Sequence, residues 1–171
     1  MAKTKILTLK RDLITSVAIF TTLLAIGIFA PLVKNQLITG SIVNATLFLG
    51  TVLFGVQNAI LLGFGPSLIA LFFGLLPTPL FPMVPFIMVA NTILVCTFGT
   101  LKHKNYLVKI LVASALKFIF LSVTSFVILN LFLKKEIASK IITMMTWPQL
   151  FTALAGGIIA FFFLKSLKKL N

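Results

Sequence analysis

The stretch ITGSIVNATLFLGTVLFGVQNAILLGFGPSLIALFFGLL, residues 38–76, decides the class of this chain. It is apolar almost throughout, and only Gln57-Asn58 interrupts it. One bilayer crossing takes about 20 apolar residues. The stretch is too long for a single span and fits a tight helical hairpin of two, 38–56 and 59–76, turning at the amide pair. Further apolar runs flank it on both sides, at 13–32, 83–99, 107–133 and 148–165. The expectation is an all-α membrane protein, a compact bundle of about six transmembrane helices forming one domain over 1–171.

Composition agrees with a lipid solvent. Sixty per cent of the residues are hydrophobic, only 10% are charged, and the mean hydropathy is +1.18. A soluble domain of this length needs a charged exterior. The net charge of +13 raises nucleic acid as a partner. However, the basic residues punctuate apolar segments and do not line one polar face, so lipid headgroups are the better match. Cys96, the single cysteine, lies inside an apolar run and reads as packing. The first run follows Lys3, Lys5, Lys10 and Arg11 in the manner of a signal peptide, but it has full spanning length and no small-x-small exit, so it reads as a retained span.

The connections are short. Run 13–32 ends at Pro31 and the polar Lys34-Asn35-Gln36, a surface loop by composition. Residues 77–85 hold four of the seven prolines, a spacing that argues for an extended, stiff connection. Lys102-His103-Lys104-Asn105 and Lys134-Lys135-Glu136 separate the later spans. With six spans, alternate connections divide the basic residues unevenly. Lys3, Lys5, Lys10, Arg11, Lys102, Lys104, Lys109 and the Lys165, Lys168, Lys169 tail fall on one side, and Lys34, Lys134, Lys135 and Lys140 on the other. The positive-inside bias puts both termini in the cytoplasm of a cell-membrane protein.

Ionisable groups within a span are costly, so they are where function is first sought. Lys117 stands out, roughly 15 Å into its span at helical rise. Ser114, Lys117, Leu121, Thr124 and Ser125 share one helical face, a polar stripe that should point into the bundle. Two readings are open, a ligand-binding cation and a lysine that joins helices. Asn91 and Thr92 sit mid-span in the preceding helix, and Asn44 lies in the outer half of the second. Each amide could orient a ligand or join two helices. Trp147 opens the last span, with Gln149 and Thr152 one turn apart on one face. Trp147 alone suits an interfacial anchor, and the three together suit a pocket wall.

Two stripes of small residues, Gly63, Ser67, Ala70, Gly74 and Ala153, Gly156, Gly157, Ala160, should allow close helix approach. Pro66 should kink or interrupt its span, in the service of helix packing. The only acids are Asp12 and Glu136, both outside the spans, so a carboxylate relay for ion coupling is lacking. The sequence holds no phosphate-binding loop, no HExxH or paired-cysteine metal motif, and one histidine, His103, in a basic loop. Enzymatic activity, an ATP site, a resident metal and a cofactor are all disfavoured.

Thr39-Gly40-Ser41-Ile42-Val43-Asn44, Gly63-Phe64-Gly65-Pro66-Ser67, the proline-rich 77–85 leading to Asn91, and Gln149-Leu150-Phe151-Thr152-Ala153-Leu154-Ala155-Gly156-Gly157 together resemble the substrate-binding S components of energy-coupling factor (ECF) transporters. The resemblance covers the whole chain in length, span number and orientation. It implies a six-helix protein that captures a vitamin, a vitamin precursor or a metal-linked substrate at its outer face. A separate transmembrane coupling protein with two ATPase subunits would drive import, toppling the S component in the bilayer. It implicates Asn35 and Gln36 of the first loop, Thr78, Asn91, Lys117, Trp147, Gln149 and Thr152 in substrate binding, with Asn44 as a further amide at similar depth. The family's first helix carries an alanine-x-x-x-alanine surface for the coupling protein. Here that spacing reads Ala18-x-x-x-Thr22 and Thr21-x-x-x-Ala25, so Ala18, Thr22 and Ala25 are the corresponding positions. The resemblance also implies that metal-specific members depend on an N-terminal histidine-bearing segment, which Met1-Ala2-Lys3 does not offer, so nickel or cobalt is disfavoured. A small organic molecule is the expected cargo, with Lys117 meeting an anionic or strongly polar group. The rival expectation is a non-transporting scaffold or assembly factor in which every one of these polar groups joins helices.

Overall fold

A computed structural model describes residues 2–74, 78–132 and 135–170. All regular structure among them is helical. The order is α1 (Ala2–Phe29), a 3-10 turn (Ala30–Val33), α2 (Gln36–Phe72), a 3-10 helix (Thr78–Met83), α3 (Val84–Thr100), α4 (Tyr106–Phe132), α5 (Lys135–Met145) and α6 (Trp147–Ser166). Five of these segments are long and apolar enough to cross a membrane. The surface agrees with that solvent. Val123 and Phe126 on α4, and Phe162 on α6, are exposed large apolar side chains, a pattern that water would penalise and hydrocarbon tolerates.

The helix starts follow from local chemistry. Asn35 Oδ1 accepts from the Leu37 and Ile38 amides and caps α2, and Asn105 Oδ1 accepts from Val108 N at the start of α4. These side chains satisfy amides that have no partner in the first turn. Proline occupies the first positions of α3 and α6, where its missing N–H costs nothing. Lys34, between the first 3-10 turn and Asn35, takes a left-handed conformation with φ 54°.

Helix α2 is not straight. Gly55 has φ 82° and ψ 171°, a conformation outside the helical region, and the chain reverses there. A methyl group on Gly50 would run into Leu62 and lie 3.6 Å from Ala59 Cβ, and one on Gly63 would lie 3.4 Å from Leu47. Residues nine apart on a straight helix are roughly 13 Å apart along the axis, so 36–54 and 56–72 lie against one another. The expected turn at Gln57-Asn58 is therefore corrected to Gly55, because only glycine adopts that φ/ψ without strain. Asn58 still takes part, donating from Nδ2 to the Phe54 carbonyl across the break at 3.0 Å.

Three further expectations are revised. The 77–85 connection is not extended: Thr78–Met83 is a 3-10 helix and α3 begins at Val84, while Pro77 lies outside the described residues. The connection before Trp147 is largely helical, forming α5, though Lys134 lies outside the described residues. Pro66 is buried with helical backbone angles and causes no break. It sits where α1 approaches, so that a methyl on Gly27 would be 2.9 Å from its Cγ.

The interior has two apolar clusters. One is centred on Leu47, Phe48, Leu62, Leu94, Phe98 and Leu164, toward the end that carries Gly55 and Lys102. The other joins Leu80, Met83, Ala90, Leu121, Ile141 and Met145, at the end that carries Trp147. Helix α1 is peripheral and packs chiefly on α2.

Candidate functional site

The polar interior residues occupy the boundary between those clusters. On α3, Asn91 falls between Ala90 of one cluster and Leu94 of the other. On α4, Ser114 and Lys117 fall between Ala113 and Leu121. Asn44 precedes Leu47 on α2, and Thr152 precedes Ala153 on α6. At about 1.5 Å per residue, Asn44, Asn91 and Thr152 lie roughly 12, 10 and 8 Å from the first residues of their helices. All three helices start at the Trp147 end, so the residues form one layer.

Lys117 is the centre of this layer and only 3% exposed. Its Nζ donates to Asn44 Oδ1 at 2.6 Å and to Asn91 Oδ1 at 2.8 Å. Asn44 Nδ2 donates onward to Thr152 Oγ1 at 3.4 Å, and Thr152 Oγ1 donates to the Gln149 carbonyl at 3.1 Å. Asn91 Nδ2 donates to the Gly63 carbonyl at 3.1 Å. Both limbs of α2, together with α3, α4 and α6, are thus joined through polar groups in a low-dielectric interior, where such bonds are strong and unpaired groups costly. Ser114 Oγ, one turn from Lys117 on the same face, is buried and has no hydrogen-bond partner among the described residues.

Glycine makes the layer possible. A methyl on Gly156 would lie 2.7 Å from Ala45 N, Asn44 Cβ and the Ser41 carbonyl, so α6 and α2 are in backbone contact beside Asn44. Gly40 similarly faces Thr152, and Gly63 faces Asn91 Cβ at 3.1 Å. The small-residue stripes lie on the inner faces: Gly63, Ala70, Ala153, Gly156, Gly157 and Ala160 are all buried. Gly74 instead ends α2 in an exposed turn with φ 62°.

Of the residues singled out from the sequence, Lys117, Asn91, Asn44 and Thr152 come together. Ser114 lies beside them, and the side chains of the other proposed binding residues do not join them. Asn35 is used as the α2 cap. Gln36 Nε2 donates to the Met144 carbonyl at 2.6 Å and ties the start of α2 to the end of α5. Trp147 is 60% exposed and stands beside Phe118 at 5.1 Å between ring centroids, facing away from the layer. Gln149 reaches the layer through its carbonyl. Thr92 donates to its own helix at Met88 O. Thr78 opens the 3-10 helix, and its side chain lies outside the described residues. Ala18, Thr22 and Ala25 line an open groove on the uncovered face of α1 together with Thr21, Ile26 and Phe29.

Two participants escape a reading of the sequence. The Gly63 carbonyl is a backbone acceptor, and only the glycine beside it hints that another helix comes close. Helix α5 carries Ala138, Ile141 and Met145 at helical spacing. That spacing is a legible signal in hindsight, hidden by the neighbouring lysines. These three side chains pack on Leu80, Met83, Ala90 and Leu121, closing the Trp147 end above the Lys117 layer.

Comparison of the chain with protein-family models, with curated proteins and with solved structures finds no match.

Proposed function

We propose that this protein is the substrate-binding component of an ECF-type uptake transporter, with six spans and both termini in the cytoplasm. It takes up a small organic micronutrient from the outer face of the cell membrane, and separate coupling and ATPase subunits supply the energy. The observation that carries this reading is the Lys117 layer. One cation is buried among five helical segments, about two turns below the Trp147 end, on amide groups from two other helices. Three further features support it. The reversal at Gly55 brings the chain back through the bundle, which supports an even number of crossings. The basic residues then gather at the Lys102 end, as the positive-inside bias requires. The Ala18, Thr22 and Ala25 face of α1 is left open to a membrane partner.

In this reading the bundle is closed as described. Cargo reaches the layer when α5 and the 3-10 helix Thr78–Met83 move off the Trp147 end, and Lys117 with Asn44 and Asn91 then offers it hydrogen bonds in a water-poor site. Lys117, Asn44, Asn91 and Thr152 are the binding residues. Trp147 anchors the end of the bundle at the headgroup layer.

The rival reading is a membrane scaffold in which Lys117 only joins helices. It is favoured by the two amide oxygens that already hold the ammonium. Affinity purification of the tagged protein from its native membrane separates the two. Co-purifying ATPase subunits and a retained small molecule in native mass spectra are expected for the transporter. Absence of both, from a preparation that keeps its lipids, would leave the scaffold.

A further inference from the structure

Among the described residues the charge of Lys117 meets no acidic counterpart. The whole chain contains two acids, Asp12 and Glu136. Asp12 is exposed on the first half of α1. Glu136 lies on α5, and its side chain falls outside the described residues. Among the described residues no carboxylate meets Lys117; its partners are the two amide oxygens. A buried cation held by neutral groups alone retains most of its desolvation penalty, which an opposite charge would relieve.

The uncommitted groups around it are chiefly donors. An ammonium has three N–H groups and two are used. Each asparagine amide has two N–H groups and one is used, at Thr152 Oγ1 and at the Gly63 carbonyl. The Ser114 hydroxyl has no partner among the described residues. A ligand satisfying these groups must bring acceptors and one negative charge.

We infer that the Lys117 layer receives a small organic monoanion through the Trp147 end, a carboxylate being the group that matches one ammonium. This names the chemical class of the cargo and rests on the transport reading above. The carboxylate pairs with the free ammonium N–H and the asparagine N–H groups, and Ser114 Oγ is the additional hydroxyl within the layer available to it. A neutral or cationic cargo would leave the Lys117 charge uncompensated.

Charge selectivity can be read without knowing the cargo. In full-length protein in lipid nanodiscs, with Cys96→Ser as background, Thr152→Cys places a single thiol in the layer. Its labelling rates by anionic sulfonatoethyl and cationic trimethylammonioethyl methanethiosulfonate are each normalised to a free thiol. The anionic reagent should react at least tenfold faster. Adding Lys117→Met should abolish that preference. If Lys117→Met does not fold, Asn44→Asp supplies an internal counter-charge at the same place and should abolish it equally. Equal rates, faster labelling by the cationic reagent, or no labelling by either would overturn the inference. A clear anion preference without ATPase co-purification would keep the anion site and remove the transporter. ATPase co-purification without the preference would do the reverse.

Discussion

Lys117 on α4 and Asn44 on α2 are joined Nζ to Oδ1 at 2.6 Å across 73 residues of sequence, and Asn91 on α3 completes the grip from the other side at 2.8 Å. Truncating either amide leaves a buried charge with half its support. Hydrogen bonds to charged groups contribute about 1.5–3 kcal/mol, so Asn44→Ala and Asn91→Ala should each lower unfolding stability by about that much. A cycle with Lys117→Met should be non-additive, since without the ammonium the amides lose their shared partner. Denaturant titration in mixed micelles gives the values, and strict additivity would mean that the three residues act independently.

The adjacent glycines on α6 should both resist an added methyl. At Gly156 it meets backbone and Cβ atoms of α2, which cannot rotate away. At Gly157 it meets Ile110, a buried β-branched side chain that is stiff at χ1 and offers Cγ2, Cγ1 and Cδ1 within 2.5–2.9 Å. Overpacking costs about 1–3 kcal/mol, so Gly156→Ala and Gly157→Ala should each fall in that range. Thermal unfolding of the two variants side by side checks this, and a variant as stable as the parent would show that its neighbour gives way.

At Gly55 the constraint is conformational, because nothing lies within 4 Å of an added methyl. Its φ/ψ belongs to a region that side chains avoid at a cost of about 1–3 kcal/mol, so Gly55→Ala should destabilise by that amount. Gly74 is also open and has φ 62°. It ends a helix in the left-handed region, where alanine costs about 1–2 kcal/mol. A larger loss at Gly74 than at Gly55 would contradict the assignment of the reversal to Gly55.

The Gln36 side chain is the polar tie between α2 and α5. Gln36→Ala should release about 1 kcal/mol, and so speed amide hydrogen exchange in α5 about fivefold by the usual exponential relation. Gln36→Glu keeps the length but loses the donor and should behave alike. Unchanged exchange in both variants would show that the apolar face of α5 suffices to hold it.

Under the proposed six-span topology, a tag after Asn171 and one before Met1 should both be protected from impermeant reagents added outside intact cells. A C-terminal tag labelled from outside would remove the orientation and, with it, the outward position of the Trp147 end.

The buried face of α4 was legible because helical periodicity fixes it. Ser114, Lys117, Leu121 and Ser125 are all buried as the spacing requires, and Thr124 lies at the edge of that face. The close-packed faces of Gly63 and of the Gly156-Gly157 pair were legible for the same reason. The partners of Lys117 were not, since Asn44, Asn91, Gln149 and Trp147 look equally available along a string. Only helix rotation sends the first two inward and Trp147 outward. Asn35 and Gln36 illustrate another limit: amides at a helix start satisfy local backbone groups or neighbouring helices before they are free to meet a ligand. Helix α5 is not legible in this way, because a short amphipathic segment beside lysines reads as a loop when spans are sought by hydrophobicity alone.

The sequence order of the buried triad bears on biogenesis. Asn44 and Asn91 both leave the ribosome before Lys117, so the two acceptors reside in the bilayer by the time the cation arrives. A lysine at mid-helix raises the free energy of translocon insertion by about 2.5–3.5 kcal/mol, and α4 has waiting partners to offset it. Circular permutation that makes α4 emerge first should therefore depress insertion of that helix while leaving the finished set of contacts the same.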